Sequence, residues 1–210
     1  MYAIRTEVMV VPGKVRAWEA WWAQLSALGK AQPGFQEGML LNSLSYPAKY
    51  VFLMRWESRE ARQAWSKSEA FSAFFQANPP QALSTPGRSQ EAYDVLMRVT
   101  GAGQAAYVVL TDWTLDARPG TTASFERTRH ELFELRKHQV KGFVANGLGR
   151  LCGHQHRYQV VQFYSDMEAI QAANPGSQIP QLQAFMEAHP FSEHASTPPS
   201  AEVYEVVQRV

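Results

Sequence analysis

Lys49-Tyr50-Val51-Phe52-Leu53-Met54-Arg55-Trp56-Glu57-Ser58 is answered in the second half of the chain by Arg157-Tyr158-Gln159-Val160-Val161-Gln162-Phe163-Tyr164-Ser165-Asp166. Working outward, Gly34-Phe35 matches Gly142-Phe143 at an offset of 108, and Pro12-Gly13 matches Pro119-Gly120 at 107. On the other side, Ala73-Phe74-Phe75-Gln76-Ala77-Asn78-Pro79 matches Ala184-Phe185-Met186-Glu187-Ala188-His189-Pro190 at 111. Tyr93 and Arg98-Val99 match Tyr204 and Arg209-Val210, again at 111. The drift needs only a few loop insertions. Solenoid units run about 20–50 residues, so this longer period reads as a duplicated small domain. Two copies of one domain should pack as a pseudo-symmetric pair. A cavity within or between them is the first place to look for function.

Each half reads strand, helix, strand, strand, helix, strand. In the first, strand 2–11 stops at Pro12-Gly13. Helix 14–30 carries Val15, Trp18, Trp22 and Leu25 on one wide stripe. Strands 35–42 and 49–56 follow, then Ser58 as the expected N-cap of a helix that continues, with a break, to Asn78. Strand 91–99 closes the half. The second half gives strand 106–115, helix 120–138, strands 142–151 and 156–164, helical segments 166–173 and 179–188 around Asn174-Pro175-Gly176, and strand 201–210. With Thr100–Gln104 as linker, the expected domains are 1–100 and 105–210. The βαββαβ order makes each a ferredoxin-like domain, an α+β fold with its helices on one face of an antiparallel sheet. The strands are apolar on both sides, so both faces must be covered. Two such sheets face to face would form a pseudo-dimeric α+β barrel.

Composition narrows the function classes. A formal net charge of +1 over 210 residues, with no basic run, gives no electrostatic reason to expect nucleic acid. No window approaches the roughly 20 apolar residues of a membrane span. Charge in Met1–Glu7 leaves no apolar stretch for a signal peptide there. Cys152 is the single cysteine, so an intrachain disulfide is impossible and a reducing, cytoplasmic setting is the expectation. His154 and His156 alternate on a strand without a matching third ligand, so no metal site is expected. Phosphate loops, dinucleotide fingerprints and nucleophile elbows are absent.

Trp56-Glu57-Ser58 closing a strand and followed by a helix resembles the antibiotic-biosynthesis monooxygenases, whose members are dimeric α+β-barrel proteins. Here the resemblance extends over the chain as two fused copies. The continuation Trp65-Ser66-Lys67-Ser68-Glu69-Ala70-Phe71 is similar to the heme-degrading branch of the same superfamily. The resemblance implies a small aromatic or polycyclic molecule as partner, oxygenated without a bound cofactor. Heme is the alternative, and a non-enzymatic binding or stress-related protein is the third reading. A further homodimer of the fused chain stays open. In the quinone-forming branch the pattern has an Asn four before the Trp and a Tyr six after it. This chain has Phe52 and Arg62 there. In the heme-degrading branch it has an Asn on the first strand and a histidine ligand 19 after the Trp. This chain has Thr6 and Phe75. His189 offers a heme ligand only in a shifted register. At an offset of 107, Trp113 takes the Asn position of the second half.

No catalytic residue is assigned. The candidate ligand-binding residues are Trp56, Phe52, Trp65, Trp113, His156, Gln162, Tyr164 and His189. Trp56 and Tyr164 are expected to border internal cavities if the strand side that carries them looks toward the other sheet, with core packing as the competing role. His156, Tyr158, Gln162 and Tyr164 alternate onto one side of a strand; if that is the inner side, the second half has the more polar cavity, with a strand end at the solvent rim as the competing role.

Overall fold

The computed structural model describes residues 1–87, 89–174 and 176–210. Arg88 and Pro175, the latter part of the expected break in the second helix of the second half, lie outside the described residues. In chain order the elements are β1 (Tyr2–Met9), α1 (Val15–Lys30), β2 (Phe35–Ser43), β3 (Lys49–Trp56), α2 (Arg59–Ser66), α3 (Glu69–Ala77) and β4 (Ser89–Thr100). The pattern then repeats as β5 (Tyr107–Thr114), α4 (Thr121–Gln139), β6 (Phe143–Leu151), β7 (Arg157–Tyr164), α5 (Met167–Ala173), α6 (Pro180–Ala188) and β8 (Ser200–Arg209). The strands are hydrogen-bonded in the closed order β1-β3-β2-β8-β5-β7-β6-β4, an antiparallel barrel in an α+β protein. No helix among the described residues is long and apolar enough to cross a membrane.

The chain divides into two compact units. The first is Met1–Asp94 together with Glu205–Val210; the second is Val95–Tyr204. The first therefore holds the start of β4, where Asp94 pairs with Tyr2, and the segment ending at Val210, which exchanges backbone hydrogen bonds with Gly38. In the second, Gly101 donates its backbone N–H to Val144.

The local chemistry of the two units is parallel. Ser58 caps α2 by accepting from Ala61 N–H at 3.1 Å, and Asp166 caps α5 by accepting from Ala169 N–H at 2.8 Å. Both satisfy donors that a helix start leaves orphaned. Gly34 and Gly142 precede β2 and β6 at φ +79° and +87°. A Cβ on Gly34 would lie 2.7 Å from Ala61 Cβ, and one on Gly142 would lie 2.6 Å from Ser165 Oγ. Glycine is demanded there by backbone sign and by space.

Strand register makes the correspondence residue-specific. Trp56 is flanked by Tyr2 and Phe35, and Tyr164 by Tyr107 and Phe143, with a register shift just after both phenylalanines. Trp56 and Tyr164 are thus equivalent, as the repeat predicts. On the helices, Tyr50 donates to Glu19 at 3.4 Å and Tyr158 donates to Glu126 at 2.7 Å, which sets α4 against α1 at an offset of 107.

Candidate functional site

The side of β3 that carries Tyr50, Phe52, Met54 and Trp56 lies under its own helices. Phe52 packs against Trp22 at 5.0 Å and Trp18 at 6.1 Å on α1. The condition set for a cavity at Trp56, that this side look toward an opposing sheet, is therefore not met. Strict alternation divides a strand into two sides but does not say which side the helices take, and here both sides are apolar.

In the first unit that covered space is filled with rings. Trp56 is fully buried, stacked on Trp65 at 5.1 Å and met edge-on by Phe35 at 5.2 Å. Trp65 in turn meets Phe71 at 4.8 Å, and Trp21 lies against Phe74 and Phe75 at 5.6 Å each. The outer edge of Trp65 lines a surface pocket of about 200 Å³ with Gln32, Pro33, Gly34, Glu57, Ala61 and Ala64. Trp56 does not reach that pocket. Thr6, where the heme-degrading pattern has Asn, is fully buried and its hydroxyl has no partner among the described residues.

The second unit has the same frame with different contents. Pairing places Thr111 opposite Val160, as Thr6 stands opposite Phe52, so Thr111 is the equivalent of Thr6. The assignment of Trp113 to that place is corrected: Trp113 pairs with Tyr158 and is equivalent to Val8. Two residues inserted between β5 and α4 make the offset smaller on the strand than on the helix.

Under α4, Tyr164 donates its hydroxyl to Gln162 Oε1 at 2.9 Å, and Arg136 Nη1 donates to the same oxygen at 2.8 Å. Gln162 Nε2 donates to Thr111 Oγ1 at 3.4 Å. The rest of the Arg136 guanidinium donates to the Ala173 carbonyl through Nε at 3.2 Å and Nη2 at 2.8 Å. Burial pushes the Tyr164 phenol above its usual range, with Arg136 pulling the other way. Tyr158 is pushed up to about 12, by burial first and by its bond to Glu126 second.

Two turns earlier on α4 stands Arg129, nine-tenths buried over the faces of Trp113 at 5.0 Å and Phe125 at 5.3 Å. Its Nε has no hydrogen-bond partner among the described residues, and burial lowers its pKa to about 10. Asn146 on β6, opposite Gln162, is fully buried with neither side-chain atom partnered among the described residues. His194, in the bend after α6, is buried against Phe125 with Nε2 3.2 Å from Ser124 Oγ, and its pKa is lowered chiefly by burial.

The structure thus brings Gln162 and Tyr164 together and places Trp113 in the same helix-covered layer. Phe52, Trp56 and Trp65 form the aromatic filling of the other unit. His156 sits just before β7, half-buried, its carbonyl accepting from Leu115 N–H at 2.8 Å. Sequence reading missed Arg129, Arg136 and Asn146. The signal was available: carrying the Pro-Gly offset of 107 along the helix puts Arg129 at Trp22 and Arg136 at Gly29.

The position that ligates heme in the heme-degrading pattern carries no iron ligand. Phe75 occupies the ligand position inside a cluster of rings, 4.5 Å from Phe71. His189, the candidate in a shifted register, pairs Nδ1 with Glu193 Oε2 at 3.1 Å and packs on Phe185. No group of three or more His, Cys, Asp or Glu suited to a metal ion occurs among the described residues.

Residues 1–77 match the family described as antibiotic biosynthesis monooxygenase. No curated relative matches the sequence. Among solved structures, a provisionally named monooxygenase from Fusobacterium nucleatum aligns over 99% of this chain and 93% of its own, with a TM-score of 0.79 and 11% identity. A provisionally named monooxygenase from Lactobacillus acidophilus aligns over 100% and 95%, with a TM-score of 0.74 and 8% identity. An anthrone oxidase-like protein aligns over 100% and 92%, with a TM-score of 0.64 and 16% identity. The match to that family thus lies in residues 1–77, and the fold is shared with these solved structures over the whole length of the chain.

Proposed function

We propose that the chain is an oxygenase that acts on an aromatic small molecule without a bound cofactor, and that the helix-covered layer of the second unit is its working site. One observation carries this: at equivalent positions the first unit has Trp22, Gly29, Gly38, Met54 and Trp56, and the second has Arg129, Arg136, Asn146, Gln162 and Tyr164. The first copy has become core. The second keeps buried hydrogen-bonding groups, of which Arg129 Nε and the Asn146 amide have no partner among the described residues, and burying such atoms costs stability.

The chemistry suited to such a site is the substrate's own. A phenol or enol tautomer that loses a proton becomes an electron donor to dioxygen. Arg136, fixed by Gln162 and Ala173, supplies positive charge where the oxyanion forms. The Tyr164 phenol stays protonated, because burial raises its pKa, and its hydrogen bond to Gln162 Oε1 holds the group that fixes Arg136. The second unit's apolar core, with Phe125, Leu132 and Val160, excludes water from the radical pair. For a methylene-bearing phenol tautomer the balance closes with one dioxygen consumed, a C=O formed and the second oxygen leaving as water.

Anthrone in aerated buffer tests the reading, with oxygen uptake and quinone absorbance followed against a protein-free blank. Arg136→Met and Tyr164→Phe should each lower the rate above the blank by at least about tenfold, the scale of a lost charge-stabilising donor. Trp56→Phe should leave it unchanged. A wild-type rate equal to the blank, or equal rates in all three variants, would sink the proposal.

A further inference from the structure

We propose that the segment Phe191–Ser196, in the bend after α6, is an acid-released strap: the neutral His194 imidazole plugs it against the start of α4, and protonation of that ring lifts it away. This does not rest on the oxygenase reading.

The segment begins as a single helical turn, Phe191–Glu193, after which the His194 and Ala195 N–H groups both donate to the Phe191 carbonyl at 3.0 Å. Its backbone is then tied to the loop between β5 and α4. The Asp116 N–H donates to the His194 carbonyl at 2.9 Å. Ser196 gives its N–H and its hydroxyl to the Asp116 carboxylate, each at 2.9 Å. Arg118 Nη2 donates to the Glu193 carbonyl at 3.0 Å. Under these ties the His194 side chain points inward. It is 1% exposed, meets the Phe125 ring edge-on at 5.6 Å and holds Nε2 3.2 Å from Ser124 Oγ.

The fold does not ask for a histidine here. In the first unit Leu83 stands in the same bend. Its N–H donates to the Pro80 carbonyl at 2.9 Å and its carbonyl accepts from Val11 N–H at 2.9 Å. Leu83 and His194 are therefore equivalent, at the offset of 111 that the preceding helix shows, and Val11 is equivalent to Asp116. The first unit closes its bend with an apolar plug. The second uses a plug that is apolar only while it lacks a proton.

The surroundings oppose that proton. Burial comes first in lowering the His194 pKa. Glu193 pulls the other way, with Oε1 3.9 Å from Nε2, but its second oxygen is engaged by His189 Nδ1 at 3.1 Å. Arg129 on α4, His189 at the end of α6 and Arg118 in the loop all repel an imidazolium. Glu126, on the same stretch of α4, accepts from Tyr158 instead. The Asp116 carboxyl is held below its ordinary range by the Ser196 bonds, so those ties outlast the plug as pH falls. For a base with a lowered folded pKa, the closed strap has its full stability above the ordinary value of 6.5 and loses it as pH falls below that value toward the folded one. A lifted strap bares the Phe125 ring and the Ser124 hydroxyl.

Amide hydrogen exchange read by mass spectrometry on the full chain tests this. Wild type and His194→Leu, which copies Leu83, are compared at one pH at a time, so the chemical exchange rate cancels. At about pH 7.5 the two should be equally protected in peptides carrying Asp116 and His194–Ser196. At about pH 5 the wild type should be about three- to thirtyfold less protected there than His194→Leu. The ceiling comes from an imidazole that, once freed, titrates about 1.5 units above the pH. His194→Gln should behave as His194→Leu does, and replaces it if circular dichroism shows the Leu variant unfolded. His189→Gln should keep part of the loss. Equal protection of wild type and both His194 variants at acid pH would overturn the inference, as would a loss that spreads over the whole second unit. Complete disappearance of the loss in His189→Gln, with the loss kept in His194→Leu, would overturn it too.

Discussion

Replacing Arg129 by Met should stabilise the ligand-free protein. The guanidinium titrates at about 10 where 12.5 is ordinary, with burial as the first cause and the Arg136 charge as the second. That difference corresponds to about 3 kcal/mol against the charged form in the folded state, because one pKa unit is worth about 1.4 kcal/mol. The sign follows from linkage. A base whose folded pKa is depressed carries its full cost at every pH below the folded value, and the cost fades only as pH rises through about 10 toward the unfolded value. At pH 7 it is fully present. Against its removal stands the loss of attraction to two ring faces, about 1–2 kcal/mol in a desolvated site. Met fits the same slot and makes its own sulfur–aromatic contacts, worth about 0.3–1.5 kcal/mol. The balance is a gain of about 1–3.5 kcal/mol, and in a chain of this size a rise in Tm of about 2–14 °C. Thermal unfolding followed by calorimetry at pH 7 without ligand reads it directly. A fall in Tm of several degrees in a folded Arg129→Met would mean that the guanidinium holds the fold together, and the argument from uncompensated charge would fail.

Three further outcomes are expected. Trp56→Ala should cost about 3–5 kcal/mol in urea denaturation, because a fully buried indole between Phe35 and Trp65 leaves a cavity; anthrone turnover measured on the folded variant should not change. Ser58→Ala should cost about 1 kcal/mol through the lost cap of α2, and Ser58→Asp, copying Asp166, should restore it in the same assay. Tyr158 has a folded pKa above its ordinary value, so its contribution is fully present below pH 10 and is lost as pH rises toward about 12; stability curves at successive alkaline pH values should fall more gently in Tyr158→Phe than in the wild type.

The element boundaries were legible because each is marked by chemistry that acts locally. Pro12-Gly13, Pro33-Gly34 and Pro119-Gly120 stop the chain where strands and helices end, and Ser58 and Asp166 start helices. The helix-facing side of β3 was not legible. Tyr50, Phe52, Met54 and Trp56 on one side and Val51 and Leu53 on the other are alike apolar, and hydrophobicity alone does not say which goes under a helix. The placement of Trp113 failed for a different reason. Repeat offsets drift at insertions, and the inserted residues before α4 were counted on the strand rather than in the loop. Arg129 and Arg136 escaped notice because arginine on a helix ordinarily reads as its solvent face. Gln162 and Tyr164 were found because strand alternation keeps them with Tyr158, a relation that needs no knowledge of what lies above.

The segment Glu205–Val210 belongs to the first unit, where Val210 and Gly38 exchange backbone hydrogen bonds and Arg209 donates to Glu37 at 2.7 Å. A protein engineer who cuts this chain in half at residue 100 to obtain the first unit alone would remove that partner. The β2 backbone at Gly38 would then be bare, an open edge of the kind that recruits another molecule's strand. The workable excision carries the distant segment along, spliced back by a short linker or supplied as a separate peptide. A tag fused after Val210 likewise burdens the half of the molecule that was made first.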